Sequence, residues 1–173
     1  MADVMIPVLG GPAPWFEAPS LDNPRFNFSS LGGRFILLAF LPREETACAE
    51  AVRLLAGFGE LYRPRRLAAF AVSREPVNPA RRAEGGELRW FFDVDGEVSR
   101  RYRALDGAGA ERPHWVLIDP SLRVFAVGGF GDGEILGKLL SWLPEPDAHA
   151  GVELHAPVLI VPRVLERPLC ERL

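Results

Sequence analysis

The stretch GGRFILLAFLPREETACAEAVRLL, residues 32–55, decides the architecture. Its first half, FILLAF at 35–40, is an unbroken apolar run with Gly32-Gly33 before it and Pro42 after it, the pattern of a strand buried on both faces. From Ala47 to Tyr62 there is no proline, and Val52, Leu54, Leu55, Phe58, Leu61 and Tyr62 recur at helical intervals. The segment therefore reads as strand, turn and helix.

The alternation repeats downstream. LAAFAVS (67–73) is a second apolar strand, the proline-punctuated 76–88 is a loop or short helix, and LRWFF (88–92) is a third strand. Asp95-Gly96 breaks the chain, and Val98 to Leu105 reads as a helix with Tyr102 and Leu105 on its apolar face. HWVLID (114–119) and LRVFAV (122–127), separated by Pro120-Ser121, read as a hairpin, and Ile135 to Leu143 as an amphipathic helix stopped by Pro144. Strands alternating with helices, followed by a hairpin, predict an α/β domain of the thioredoxin-like fold: a central mixed sheet with helices on both faces. The expected organisation is a domain at 1–143, a linker at 144–151, where PEPDAHAG has no apolar period, and a C-terminal extension at 152–173.

The 173 residues carry a net charge of -3 and 48% hydrophobic residues, which suits a single globular domain. Such a chain buries roughly 70% of its unfolded surface and needs no covalent or metal staple. With 2 cysteines, a disulfide scaffold is excluded. Phe35 to Leu41 is the longest apolar run, far short of the about 20 residues that span a bilayer, and the N-terminus lacks a secretory pattern, so a cytoplasmic protein is expected. The basic clusters Arg63/Arg65/Arg66, Arg81/Arg82 and Arg100/Arg101/Arg103 lie close to acidic residues and read as solvated surface, with no nucleic-acid partner expected.

The residues with chemical promise lie in PREETAC (42–48). Thr46 is a candidate N-cap, which would place Cys48 in the first helical turn, where unsatisfied amides and the macrodipole favour a thiolate. A cysteine of this kind also fits a second reading, as a small buried apolar side chain. Glu44, Glu45 and Glu50 oppose the thiolate if they point inward.

Several stretches together resemble the alkyl hydroperoxide reductase and thiol-specific antioxidant family, the peroxiredoxins. They are GGPAPWFEAPSLDNPRFNFSSLGGRFILLAFLP (10–42), FAVSREP (70–76), WFFDVDGEVSRRYRAL (90–105) and HWVLIDPSLRVF (114–125). The resemblance implies a thiol-dependent peroxidase that reduces hydrogen peroxide or organic hydroperoxides through a cysteine sulfenic acid, using no cofactor or metal. It also implies a thiol reductant such as thioredoxin or glutathione as partner, and a homodimer. Carried onto this chain, Cys48 is the attacking thiol, Thr46 bonds the peroxide, Arg112 supplies positive charge and Pro42 shapes the loop and shields the sulfur.

Two departures qualify the match. The family pattern Pro-x-x-x-Thr/Ser-x-x-Cys fits Pro42 and Thr46, but Cys48 comes one residue early, a helical rotation of about 100°. Either the loop is shortened and Cys48 still faces the site, or peroxidase function is lost. The family's arginine position is Pro113, with Arg112 one residue before it. Cys170 is a candidate resolving cysteine, although ERPLCERL (166–173) is unlike the family's sequence there. HAPVLIVPRVLERPLC (155–170) resembles the opening of prolyl 4-hydroxylase-like 2-oxoglutarate and iron oxygenase domains. That likeness implies the alternative function: a catalytically degenerate interaction or redox-sensing module with an oxygenase domain as partner. His114 reads as a hydrogen-bonded core or edge histidine, GGFGDG (128–133) as a turn and helix start, and the four tryptophans as core or interface aromatics.

Overall fold

The computed structural model describes residues 8–75 and 79–150. A short antiparallel hairpin, β1 (Glu17–Ala18) and β2 (Phe26–Asn27), precedes the central strand β3 (Phe35–Phe40). There follow α1 (Glu45–Ala56), β4 (Leu67–Ser73), α2 (Pro79–Glu84), β5 (Arg89–Phe92), α3 (Glu97–Arg101), β6 (His114–Ile118), β7 (Val124–Gly128), α4 (Gly133–Trp142) and α5 (Pro146–Ala150). The sheet runs β5-β4-β3-β6-β7; β3 pairs in parallel with β4 and antiparallel with β6, so it is mixed about its centre. Among the described residues no helix is long and apolar enough to cross a membrane.

Every residue of β3 is buried because both faces of the sheet are covered. Phe35, Leu37 and Ala39 face Ala51, Val52 and Leu55 of α1 and Leu136 and Leu140 of α4. Ile36, Leu38 and Phe40 face Val98, Tyr102 and the N-terminal Phe16 and Phe28. On this second face Phe70 stacks on Phe91 at 4.6 Å and Phe16 on Phe28 at 4.8 Å. Burying each such side chain contributes roughly 1.5–3 kcal/mol, which explains why an unbroken apolar run occupies the centre.

Local chemistry moves several expected boundaries. The helix read from Ala47 to Tyr62 stops at Ala56, with Gly57 as its C-cap, and continues as a separate 3-10 turn at Gly59–Leu61. Tyr62 is buried and donates its hydroxyl proton to the Leu55 carbonyl at 2.7 Å, so the apolar spacing persists across the break. The helix expected to reach Leu105 ends at Arg101. There the Ser99 carbonyl accepts from the amides of Ala104 (2.8 Å) and Leu105 (3.2 Å), and Arg103 adopts φ 59°.

The turn between β6 and β7 is longer than the Pro120-Ser121 pair predicts, because Asp119 organises it. Its carboxylate accepts from the Ser121 amide and hydroxyl and from the Arg123 amide at 2.7–2.9 Å. In the expected linker, Pro146–Ala150 is helical. His149 packs its ring 5.1 Å from Phe35 and 5.6 Å from Phe125, with Nε2 3.3 Å from Asp119 Oδ2. A single aromatic, polar anchor leaves no apolar period to read. Trp90 and Trp115 are core residues, whereas Trp15 and Trp142 are exposed.

Trp115 also fixes the identity of Gly128, since a Cβ built there would lie 2.3 Å from the indole. The indole N–H donates to the Gly129 carbonyl at 2.9 Å, holding the ring in place. Gly128→Ala is expected to cost about 1–3 kcal/mol through overpacking. Denaturant unfolding measures this, and a variant as stable as the parent would contradict the contact.

Candidate functional site

The loop leaving β3 carries the expected site. Leu41 extends the strand by donating its amide to the Val72 carbonyl at 3.1 Å, and Pro42, half-buried, ends it because proline has no donor. The helix cap is Glu44 and not Thr46. The Glu44 carboxylate reaches forward and accepts from the amides of Thr46 (2.9 Å) and Ala47 (2.6 Å), satisfying two donors at the start of α1. Those bonds, the Ala47 amide first, hold its pKa below the ordinary glutamate value, and the Thr46 hydroxyl adds to them.

Thr46 is thus a first-turn residue, and it is exposed. Cys48 lies on the opposite side of the helix, 6% exposed, and belongs to the cluster of Leu37, Ala39, Leu41, Val52 and Leu55. Its amide donates to the Glu44 carbonyl at 2.9 Å in the regular helical manner. Glu44, Glu45 and Glu50 are all exposed, so none of these carboxylates is turned into the core beside the thiol.

A network of charges brackets the loop. Arg43 Nε donates to Glu75 Oε1 at 2.7 Å and lies 3.8 Å from Glu111, whose other oxygen accepts from the Arg43 amide at 3.3 Å. Arg74 Nη1 donates to Glu111 Oε1 at 2.9 Å. The exit of β3, the end of β4 and the approach to β6 are thereby joined by four side chains. Sequence reasoning missed all four, and read Glu44 as a carboxylate opposing the thiolate where it is the cap; an acidic residue just ahead of a helix is a readable cap signal, but no local pattern announces partners so far apart in the chain.

Arg112 takes another direction. Continuing the β3 and β6 register beyond Phe40 and His114 sets Arg112 opposite Pro42. Strand alternation, however, puts its side chain on the Phe40 face, away from Cys48. It is 71% exposed, 3.8 Å from Asp106, and lines a cleft of about 410 Å³ with Arg100, Arg103 and Leu105. Pro42, Thr46 and Cys48 therefore share one junction, while Arg112 stands on the other face of the sheet. His114 stacks on Phe40 at 5.3 Å and its Nδ1 is 2.7 Å from the Arg112 carbonyl, a partly buried, hydrogen-bonded histidine at the start of β6. Cys170 and His155 lie outside the described residues.

The family model described as "AhpC/TSA family" matches residues 9–127. No curated protein sequence matches the chain. Among solved structures, the mitochondrial 2-Cys peroxiredoxin of Plasmodium falciparum superposes with a TM-score of 0.65 at 17% identity, covering 84% of this chain and 99% of that one. Peroxidoxin BcpB of Mycobacterium tuberculosis gives 0.63 at 16% identity, covering 76% and 94%. A protein from Bacteroides thetaiotaomicron described as a putative protein disulfide isomerase gives 0.65 at 18%, covering 83% and 94%. At these identities the superpositions establish the thioredoxin-like fold. The family match stops before residues 155–170, so the expected oxygenase partner gains no support.

The cap gives α1 a pH dependence of known sign. Because the folded pKa of Glu44 is lowered from 4.5, its contribution is complete above that value and is lost as pH falls through the folded pKa. Glu44→Gln is expected to lower the thermal midpoint at neutral pH, with the gap from the parent closing in acid. A gap that stays constant with pH would show that the carboxylate charge plays no part.

Proposed function

The chain belongs to the AhpC/TSA family, and from that premise we propose that it is a thiol-dependent peroxidase acting through Cys48 on hydrogen peroxide or an organic hydroperoxide. The observation that carries the reading is the placement of Cys48 in α1 directly after the central strand, within the matched region.

Reaction requires the first turn of α1 to open, since the thiol faces the core in the closed form. Opening detaches the Glu44 carboxylate from the amides of Thr46 and Ala47 and leaves those donors for the peroxide. The Cys48 thiolate then attacks one peroxide oxygen, the O–O bond breaks, and the departing oxygen leaves as water or alcohol after taking a proton. The sulfur is left as sulfenic acid. A thiol of the thioredoxin or glutathione class condenses with it, releasing water, and a second thiol displaces Cys48 as the restored thiol while a disulfide forms. In this scheme the Thr46 hydroxyl orients the peroxide and Pro42 shields the sulfur, while Arg112, on the other face of the sheet, stays clear of the sulfur. Cys170 is a candidate resolving cysteine, which would condense with the sulfenic acid in place of the external thiol, and a homodimer is the expected assembly.

Sulfenic-acid trapping followed by mass spectrometry after brief exposure to dilute peroxide tests the reading. Labelling at Cys48 faster than at a small-molecule thiol, and lost in Cys48→Ser, is the expected result. Arg112→Gln should leave the rate within about twofold, because the guanidinium lies on the other face of the sheet, and a loss of about 10-fold or more would return it to the site. Labelling no faster than the small-molecule thiol would leave a thioredoxin-fold module without peroxidase chemistry.

A further inference from the structure

At the end of the sheet remote from Cys48, a cleft of about 670 Å³ is walled by Gly33 and Arg34 before β3, by Arg63, Arg65 and Arg66 before β4, and by Glu145 to Asp147 at the start of α5. The three arginines before β4 are gathered by a tight turn in which the Arg63 carbonyl accepts from the amides of Arg66 and Leu67, both at 2.8 Å. Phe35 in turn donates its amide to the Arg66 carbonyl at 2.8 Å, fixing this wall to β3.

Outside the cleft, Arg101 and Arg123 donate to the main-chain carbonyls of Trp15 and Gly10. Arg25, Arg43, Arg74, Arg100 and Arg112 each lie within 4.0 Å of a carboxylate. In the cleft, among the described residues, only Arg66 does, its Nε 3.4 Å from Glu145 without hydrogen-bond geometry. Arg34 and Arg66 are instead anchored by neutral main-chain carbonyls: Arg34 Nη1 donates to Pro64, and Arg66 Nη2 to Leu143. Carbonyl anchors orient a guanidinium without cancelling its charge. The Nε atoms of both residues are buried and, among the described residues, have no acceptor.

We propose that this cleft binds a small molecule carrying two adjacent phosphoryl groups, of the diphosphate or nucleoside-diphosphate class. Guanidinium forks match phosphate oxygens in pairs, and four of them against the carboxylates of Glu145 and Asp147 leave an excess of two positive charges in a chain whose net charge is -3. The volume lies within the range of small-molecule sites and is generous for a lone orthophosphate. Among the described residues no aromatic side chain lines it, so the phosphates rather than a base are the recognition element.

Calorimetric titration of the full chain at low salt with pyrophosphate, ADP, AMP and orthophosphate tests the site and separates a free diphosphate from a nucleotide. Pyrophosphate and ADP are both expected to bind, with AMP and orthophosphate weaker by about tenfold or more. Arg63 and Arg65 are exposed, so the double variant Arg63→Gln/Arg65→Gln leaves the core intact, and it should weaken pyrophosphate binding by about tenfold or more. Glu145→Gln should tighten it, and Arg53→Gln, on the exposed side of α1, should leave it unchanged. No heat with pyrophosphate at about 1 mM, equal affinity for orthophosphate, or full affinity in the double variant would each overturn the proposal.

Discussion

Burial of β3 on both faces is the constraint from which the rest of the structure follows. Its backbone is paired on one side with β4 and on the other with β6, and its side chains are divided between two apolar clusters. A strand so placed has no polar position to spare. Any residue that must meet solvent is displaced to its ends, which is where Pro42 and the loop to α1 begin. The site is therefore a terminus of the core, and whatever reacts there is held by the strand behind it.

The start of α1 carries two competing claims on the same donors. Backbone amides at a helix start attract negative charge, and in this chain the Glu44 carboxylate supplies that charge from within. An incoming anion or peroxide must displace it. The thiol meanwhile contributes to the core that α1 shares with β3. Closed, the arrangement favours stability, and the chemistry proposed for Cys48 is reached only by exchanging one hydrogen-bond acceptor for another.

Much of the fold was legible because it depends on local periodicity. The run at 35–40, the strand at 67–73 and the helix near 135–143 are each encoded by their own residues, and the structure returns them with small shifts. The helix overran at Gly57 because Phe58, Leu61 and Tyr62 continue the apolar spacing after the backbone has left the helix. The site was less legible. A residue-by-residue match located Pro42, Thr46, Cys48 and Arg112, but the side of the helix or sheet on which each falls depends on register, which spacing alone leaves open by one position. Glu111 was invisible for a simpler reason: its partners Arg43 and Arg74 meet it only after the sheet has formed.

The charged network around residues 43, 74, 75 and 111 gives the mouth of the junction and the core behind it different sensitivities to the medium. It is built from partly exposed ion pairs, whose attraction fades once the screening length shrinks toward their own spacing to solvent. The core behind it is held by apolar burial, which ordinary salts leave almost untouched. Ionic strength thus acts as a dial on the mouth of the junction, loosening the ties among three chain segments while the strand that carries them stays rigid.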